Sequence, residues 1–141
     1  MHPNKRQQYA LAIMIDLAIH SQIRAQVLTD IADRLRIIPS YLESMLMQLR
    51  RAGLVKSWRG PGGGYSLGRA LELISLADIV LAVEPKATRR ARDEGQPVAT
   101  VEHAPCCDLW ALIDEKVRSY MAEISLLTLA RVPCFSAPST V

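Results

Sequence analysis

Two groups of residues have side chains whose type and spacing point to chemistry. The first is Arg59-Gly60-Pro61-Gly62-Gly63-Gly64-Tyr65, a cation at the base of a tip without bulky side chains. Glycines let a backbone approach a sugar–phosphate chain closely, and an arginine beside them suits a narrow, electronegative minor groove. The rival chemistry, a nucleotide-cradling loop, requires the Gly-Lys-Ser/Thr ending of a P-loop, which Gly60 to Gly64 lacks. The second group is Cys106-Cys107, with His103 just before it. Thiol and imidazole groups are ligands for a metal or an iron–sulfur cluster, although two adjacent cysteines do not easily share one ion. A cysteine at a helix start also favours thiolate redox chemistry. A bound cluster or metal, a thiol sensor, and a partly buried cysteine with no cofactor therefore stay open. No catalytic set emerges, because His2, His20 and His103 lie in separate segments. Asp30/Asp33 and Asp114/Glu115 fit a cap region and a solvated helix face, so the chain is not expected to be an enzyme.

The elements that must position the first group follow from periodicity. Tyr9, Ala10, Ile13, Met14, Leu17 and Ala18 recur at helical spacing within Gln7 to Ser21. Thr29 is the expected N-cap of a short second helix ending near Leu35 or Arg36. Pro39 then opens a third helix, with Leu42, Met45, Leu46 and Leu49 on one face and Gly53 after its end. Two helices joined by a short turn make a helix-turn-helix unit. Pro39, Ser40, Tyr41, Glu43, Ser44 and Gln48 then lie toward solvent near the start of the third helix, the end that enters the major groove, while Arg50, Arg51 and Lys56 are candidate phosphate contacts. Leu54 to Arg59 and Tyr65 to Leu67 read as the strands of a hairpin whose tip is Gly60, Pro61, Gly62, Gly63 and Gly64. Ser75 and Asp78 have capping-box spacing ahead of a short apolar helix.

Beyond Pro85 the segment Lys86 to Pro105 is charged and poor in apolar residues, and reads as a loop. A long helix from Cys107 to Ile124 carries the stripe Leu109, Trp110, Ile113, Val117, Tyr120, Met121 and Ile124, which suits either an interface with another chain, and so a dimerisation region, or packing back on its own domain. Leu126 to Val132 reads as one more turn of helix. The expected division is a DNA-binding domain over 1–84, a sensor-type loop over 85–105, a dimerisation region over 106–132 and a frayed tail over 133–141.

Composition agrees with that organisation. A chain of 141 residues, 50% hydrophobic and 22% charged, is ordinary for one domain with an appended arm. The net charge of +3 is unevenly spread, since residues 1–70 hold ten basic against four acidic side chains, which favours a polyanionic partner. The apolar runs are too short for a membrane span and the first residues lack a signal-peptide core, so a cytoplasmic setting with reduced thiols is expected.

Tyr9, Tyr41-Leu42-Glu43, Leu49 to Val55 and above all Arg59 to Tyr65 resemble the Rrf-type family of bacterial winged-helix transcriptional regulators, over about Gln7 to Leu129. The resemblance implies a mainly α fold with a small β-hairpin wing. It further implies a homodimer on double-stranded DNA, with a recognition helix and a wing for each half-site of a pseudo-palindromic operator. Arg59 would then enter the minor groove, and Ser40, Tyr41 and Glu43 would meet DNA. The expected function is a sequence-specific regulator, a repressor in the simplest reading, responsive to redox state or to an iron–sulfur cluster, with a protein co-regulator as a further partner. The alternative is a winged module that docks a metabolic enzyme without a cluster. The resemblance breaks at the sensor. Cluster-binding members carry three cysteines before the long helix, whereas Lys86 to Pro105 contains none and Cys107 stands where close relatives have a ligating histidine.

Overall fold

The computed structural model describes residues 4–93 and 106–132. In chain order it contains α1 (Lys5–His20), α2 (Leu28–Leu35), α3 (Pro39–Arg51), β1 (Val55–Trp58), β2 (Gly64–Leu67), a 3-10 turn (Leu71–Leu73), α4 (Leu76–Ala82), α5 (Lys86–Asp93), α6 (Cys106–Glu123) and α7 (Leu126–Ala130). His103, the rest of the segment before α6, and the tail with Cys134 lie outside the described residues.

α1 forms the spine of the domain. Asn4 caps it by accepting from the Gln7 backbone N–H at 2.9 Å while the Gln7 side chain accepts from the Asn4 N–H at 3.0 Å. Its apolar stripe buries Ala10, Ile13, Met14 and Leu17 against Ile31 of α2 and against Leu42, Met45, Leu46 and Leu49 of α3. The Ser75–Asp78 capping box starts α4 as its spacing predicts, and Ile79 enters the same core. α7 returns to this core as well. Leu76 N–H donates to Ile124 O and Leu126 N–H to Ile74 O, both at 2.8 Å, and the Leu126 side chain is fully buried.

Two expectations are corrected. Thr29 is not the N-cap of α2, since the helix begins at Leu28 behind Val27, which offers no side-chain cap. The cause lies just upstream, where the Gln26 backbone pairs with Tyr65 through N–H to oxygen bonds of 2.7 Å in both directions and fixes where the chain turns into the helix. Lys86 to Asp93 is helical, not a loop. Lys, Ala and Arg are good helix formers, but the apolar residues of this segment are only Ala87 and Ala91, too small and too few to stand out as a helical stripe.

Among the described residues, the buried polar side chains are Asp16 and Gln26. Arg34 donates to both Asp16 oxygens, Nε at 2.9 Å and Nη2 at 2.7 Å, and Nη2 also reaches Gln26 Oε1 at 3.2 Å. Gln26 Nε2 donates in turn to the His20 carbonyl at 2.9 Å. The Asp16 hydrogen bonds hold the Arg34 guanidinium above its ordinary value, against the opposing cost of burial. This network joins α1, α2 and the turn that leads to the hairpin. Because hydrogen bonds to charged groups contribute about 1.5–3 kcal/mol, Asp16→Ala is expected to lower unfolding stability by about 2–3 kcal/mol. Urea unfolding checks this, and an unchanged midpoint would show the network to be stabilising nothing.

Candidate nucleic-acid interface

The sequence of α3 separates its two faces. Leu42, Met45, Leu46 and Leu49 are buried, so Ser40, Glu43, Ser44 and Met47 form an exposed row. Pro39 occupies the first turn and no side chain caps the N-terminus, which leaves that end of the helix open to a phosphate. Tyr41 is half-buried, its ring edge-on to Tyr9 with centroids 5.5 Å apart at 72°. The contact holds the start of α3 against α1 and leaves the polar row facing outward.

The wing follows directly. β1 and β2 pair antiparallel in the register Val55↔Leu67, Lys56↔Ser66, Ser57↔Tyr65 and Trp58↔Gly64. Val55 points into the core, whereas Lys56 and Trp58 are exposed. The tip closes with Gly63 N–H donating to Gly60 O at 2.9 Å, and Arg59, Gly60, Pro61 and Gly62 are all exposed. Gly62, at φ 74°, supplies a left-handed turn position. Gly64 has a different reason. A Cβ there would collide with the Gln26 carbonyl oxygen, so only glycine lets the hairpin base lie against the α1–α2 connection.

The structure thus gathers Ser40, Tyr41, Glu43 and Ser44 at one end of α3, and Arg59 to Gly62 at the wing tip. It does not place all the expected residues there. Gln48 is half-buried, its Oε1 accepting from Arg6 Nη2 at 2.7 Å. Arg50 and Arg51 sit at the far end of α3, about 17 Å of helix from Pro39. Sequence reasoning also passed over several exposed residues beside these groups. Met47 was legible as the position between two stripe residues. Trp58 is 58% exposed, and its Nε1 donates to Ser66 Oγ at 2.9 Å, which fixes the indole next to Arg59. Arg24 lines a shallow groove with Trp58, Arg59 and Pro61, and nothing in its local sequence marks it.

On α6 the expected apolar stripe divides. Ile113, Val117, Met121 and Ile124 are half-buried, whereas Leu109 at 56% and Tyr120 at 67% are exposed, together with Leu112 at 54%, which the expected stripe omitted. Trp110 lies on the same helix. Cys106 and Cys107 are its first two residues. No group of three or more metal-ligating side chains comes together among the described residues, and none of the described helices is long and apolar enough to cross a membrane.

Helix, turn, helix and hairpin, with an open polar helix end and a glycine-tipped wing on one domain, define a winged helix-turn-helix DNA-binding protein. The model of the Rrf2 family, described as an iron-dependent transcriptional regulator, matches residues 4–132. The chain belongs to the Rrf2 family and is a transcriptional regulator. It is 39% identical over 135 residues to the HTH-type transcriptional regulator IscR of Xenorhabdus nematophila, a match covering 93% of this chain and 80% of that one. Among solved structures it is similar to CymR, the global cysteine regulator of B. subtilis, with a TM-score of 0.73, 32% identity and coverage of 92% and 96% of the two chains. It is also similar to T. potens IscR, with a TM-score of 0.74, 27% identity and coverage of 92% and 85%.

Gly64→Ala is expected to push the wing off the Gln26 connection, at an overpacking cost of about 1–3 kcal/mol, and to weaken duplex binding. Unfolding midpoints and fluorescence anisotropy with labelled DNA read the two effects. Wild-type values in both would rule out the clasp as the element that sets the wing.

Proposed function

We propose that the protein acts as a homodimer on a pseudo-palindromic operator, with the start of α3 in the major groove and Arg59 in the adjacent minor groove. The observation that carries this reading is the pairing of the exposed, uncapped α3 terminus with an exposed arginine on a glycine tip clasped to the same domain. Ser40, Glu43 and Ser44 are suited to base edges, Glu43 as an acceptor for cytosine N4, and Lys56 and Arg24 to phosphates. Leu109, Leu112 and Tyr120 support a second copy as the partner of α6, because these large apolar side chains lie exposed together along one helix face, a patch that a like face can cover. The expected result is that Arg59→Ala weakens operator binding by about 1–3 kcal/mol, while Glu43→Ala changes which sequence is preferred. Mobility shifts at fixed salt on a selected operator and its single-base variants test both. Unchanged affinity with unchanged preference would remove the two residues from the interface.

We further propose that the signal is read by thiol chemistry at Cys106 and Cys107, which open an eighteen-residue helix whose dipole favours negative charge at that end. The family description names iron, but the two adjacent cysteines do not easily share one site, and even with His103 they number three where a cluster takes four ligands. Expected is a colourless, iron- and sulfide-free protein when purified anaerobically, whose DNA affinity changes on diamide treatment, recovers with dithiothreitol, and ceases to respond in the Cys106→Ser/Cys107→Ser variant. Visible absorbance that disappears in Cys106→Ala or Cys107→Ala would establish a cluster and overturn the thiol reading.

A further inference from the structure

Away from the wing and from the start of α3, the molecule has a half-open cleft of about 640 Å³ between the N-terminal turn of α1, the last turn of α3, and the junction of α4 with α5. Its walls carry five cations, Arg6, Arg51, Arg69, Lys86 and Arg89, against two carboxylates, Asp78 and Glu84. One of those carboxylates is engaged elsewhere, since Asp78 Oδ2 accepts from the Ser75 N–H at 3.0 Å. The floor is apolar, formed by Leu54, Leu81, Ala82 and Pro85. Arg6 spans the wall, donating through Nη2 to Gln48, while its buried Nε has no hydrogen-bond partner. A buried donor on a charged group left without an acceptor is costly, and five cations around one space repel one another. The repulsion falls when an anion enters.

We propose that this cleft binds a small organic anion, one whose carboxylate or phosphate groups meet the arginines and whose carbon body lies on Leu81, Ala82 and Pro85. The volume falls within the range of small-molecule sites, and planar guanidinium groups pair with carboxylate and phosphate in a bidentate manner. The site is distinct from the proposed groove contacts, and it touches both the recognition helix, through Arg51, and the first helix of the segment that leads to Cys106, through Lys86 and Arg89. Arg51, expected from sequence to contact a DNA phosphate, is assigned to this site.

Isothermal titration with citrate and with pyrophosphate, at an ionic strength held constant with potassium chloride, tests the assignment. Saturable binding of at least one probe is expected. The Lys86→Ala/Arg89→Ala variant, altered only at exposed positions, should lose about tenfold in affinity, whereas Arg118→Ala, a cation on α6 that does not line the cleft, should retain it. Absence of saturable binding for both probes, or equal affinity in the two variants, overturns the proposal. A non-specific DNA duplex separates the remaining source of phosphate. If it displaces pyrophosphate and loses as much affinity in Lys86→Ala/Arg89→Ala as the probe does, the cleft is a DNA-backbone contact and the small-anion assignment fails, whatever the Arg59 and Glu43 variants show.

Discussion

The carboxylate of Asp16 is the point on which the arrangement of the DNA-binding parts depends. It is 6% exposed in the middle of an otherwise apolar helix face, and its two oxygens are met by two nitrogens of Arg34. A charge at that depth is tolerated only when paired and hydrogen-bonded, so the pair fixes the orientation of α2 on α1 more narrowly than apolar packing alone can. Arg34 then orients Gln26, whose side chain is buried and whose backbone holds Tyr65. The position of the wing is thus set from inside the domain, through one ion pair, one amide and a two-bond bridge. The recognition helix is held separately, by its leucine face and by the Tyr9–Tyr41 contact.

That division explains which features were legible in the sequence. α1 and α3 were, because long apolar stripes are written locally, and α3 also has a proline at one end and a glycine at the other. The wing was legible because Arg59 to Tyr65 concentrates its turn chemistry in seven consecutive residues. Asp16 was not, since a single aspartate in a helix reads as surface until its partner is known, and Arg34 lies eighteen positions away. Gln26 was lost for the same reason, and with it the true start of α2. α5 was missed because periodicity detects helices by their apolar face, and Lys86 to Asp93 has scarcely any. The exposed Leu112 and half-buried Ile113 show a further limit. A stripe predicts that a face is apolar, and leaves open whether its own domain or another surface covers it.

Family membership and local chemistry contribute to the function at different levels. The class of activity follows from the match over residues 4–132 together with the hairpin and recognition helix. The proposed signal is a separate matter, because a thiol or cluster site rests on a few side chains, here Cys106, Cys107 and His103, and not on the fold that the family shares. Its basic cleft lies between the two regions, bordered by the recognition helix on one side and by α5 on the other.

The return of α7 to the core bears on how the chain can be divided. Leu126 is fully buried beside Ile74 and Ile79, and the backbone at Ile124 and Leu126 is tied to the strand-like stretch before α4. The winged unit is therefore closed by residues that come after α6 in the chain, and α6 itself packs on α4. A fragment cut at the end of α4 would leave an apolar notch where Leu126 belongs. The DNA-binding module is contiguous in space but interrupted in sequence, so a displacement of the end of α6 acts directly on a segment anchored in the reader itself.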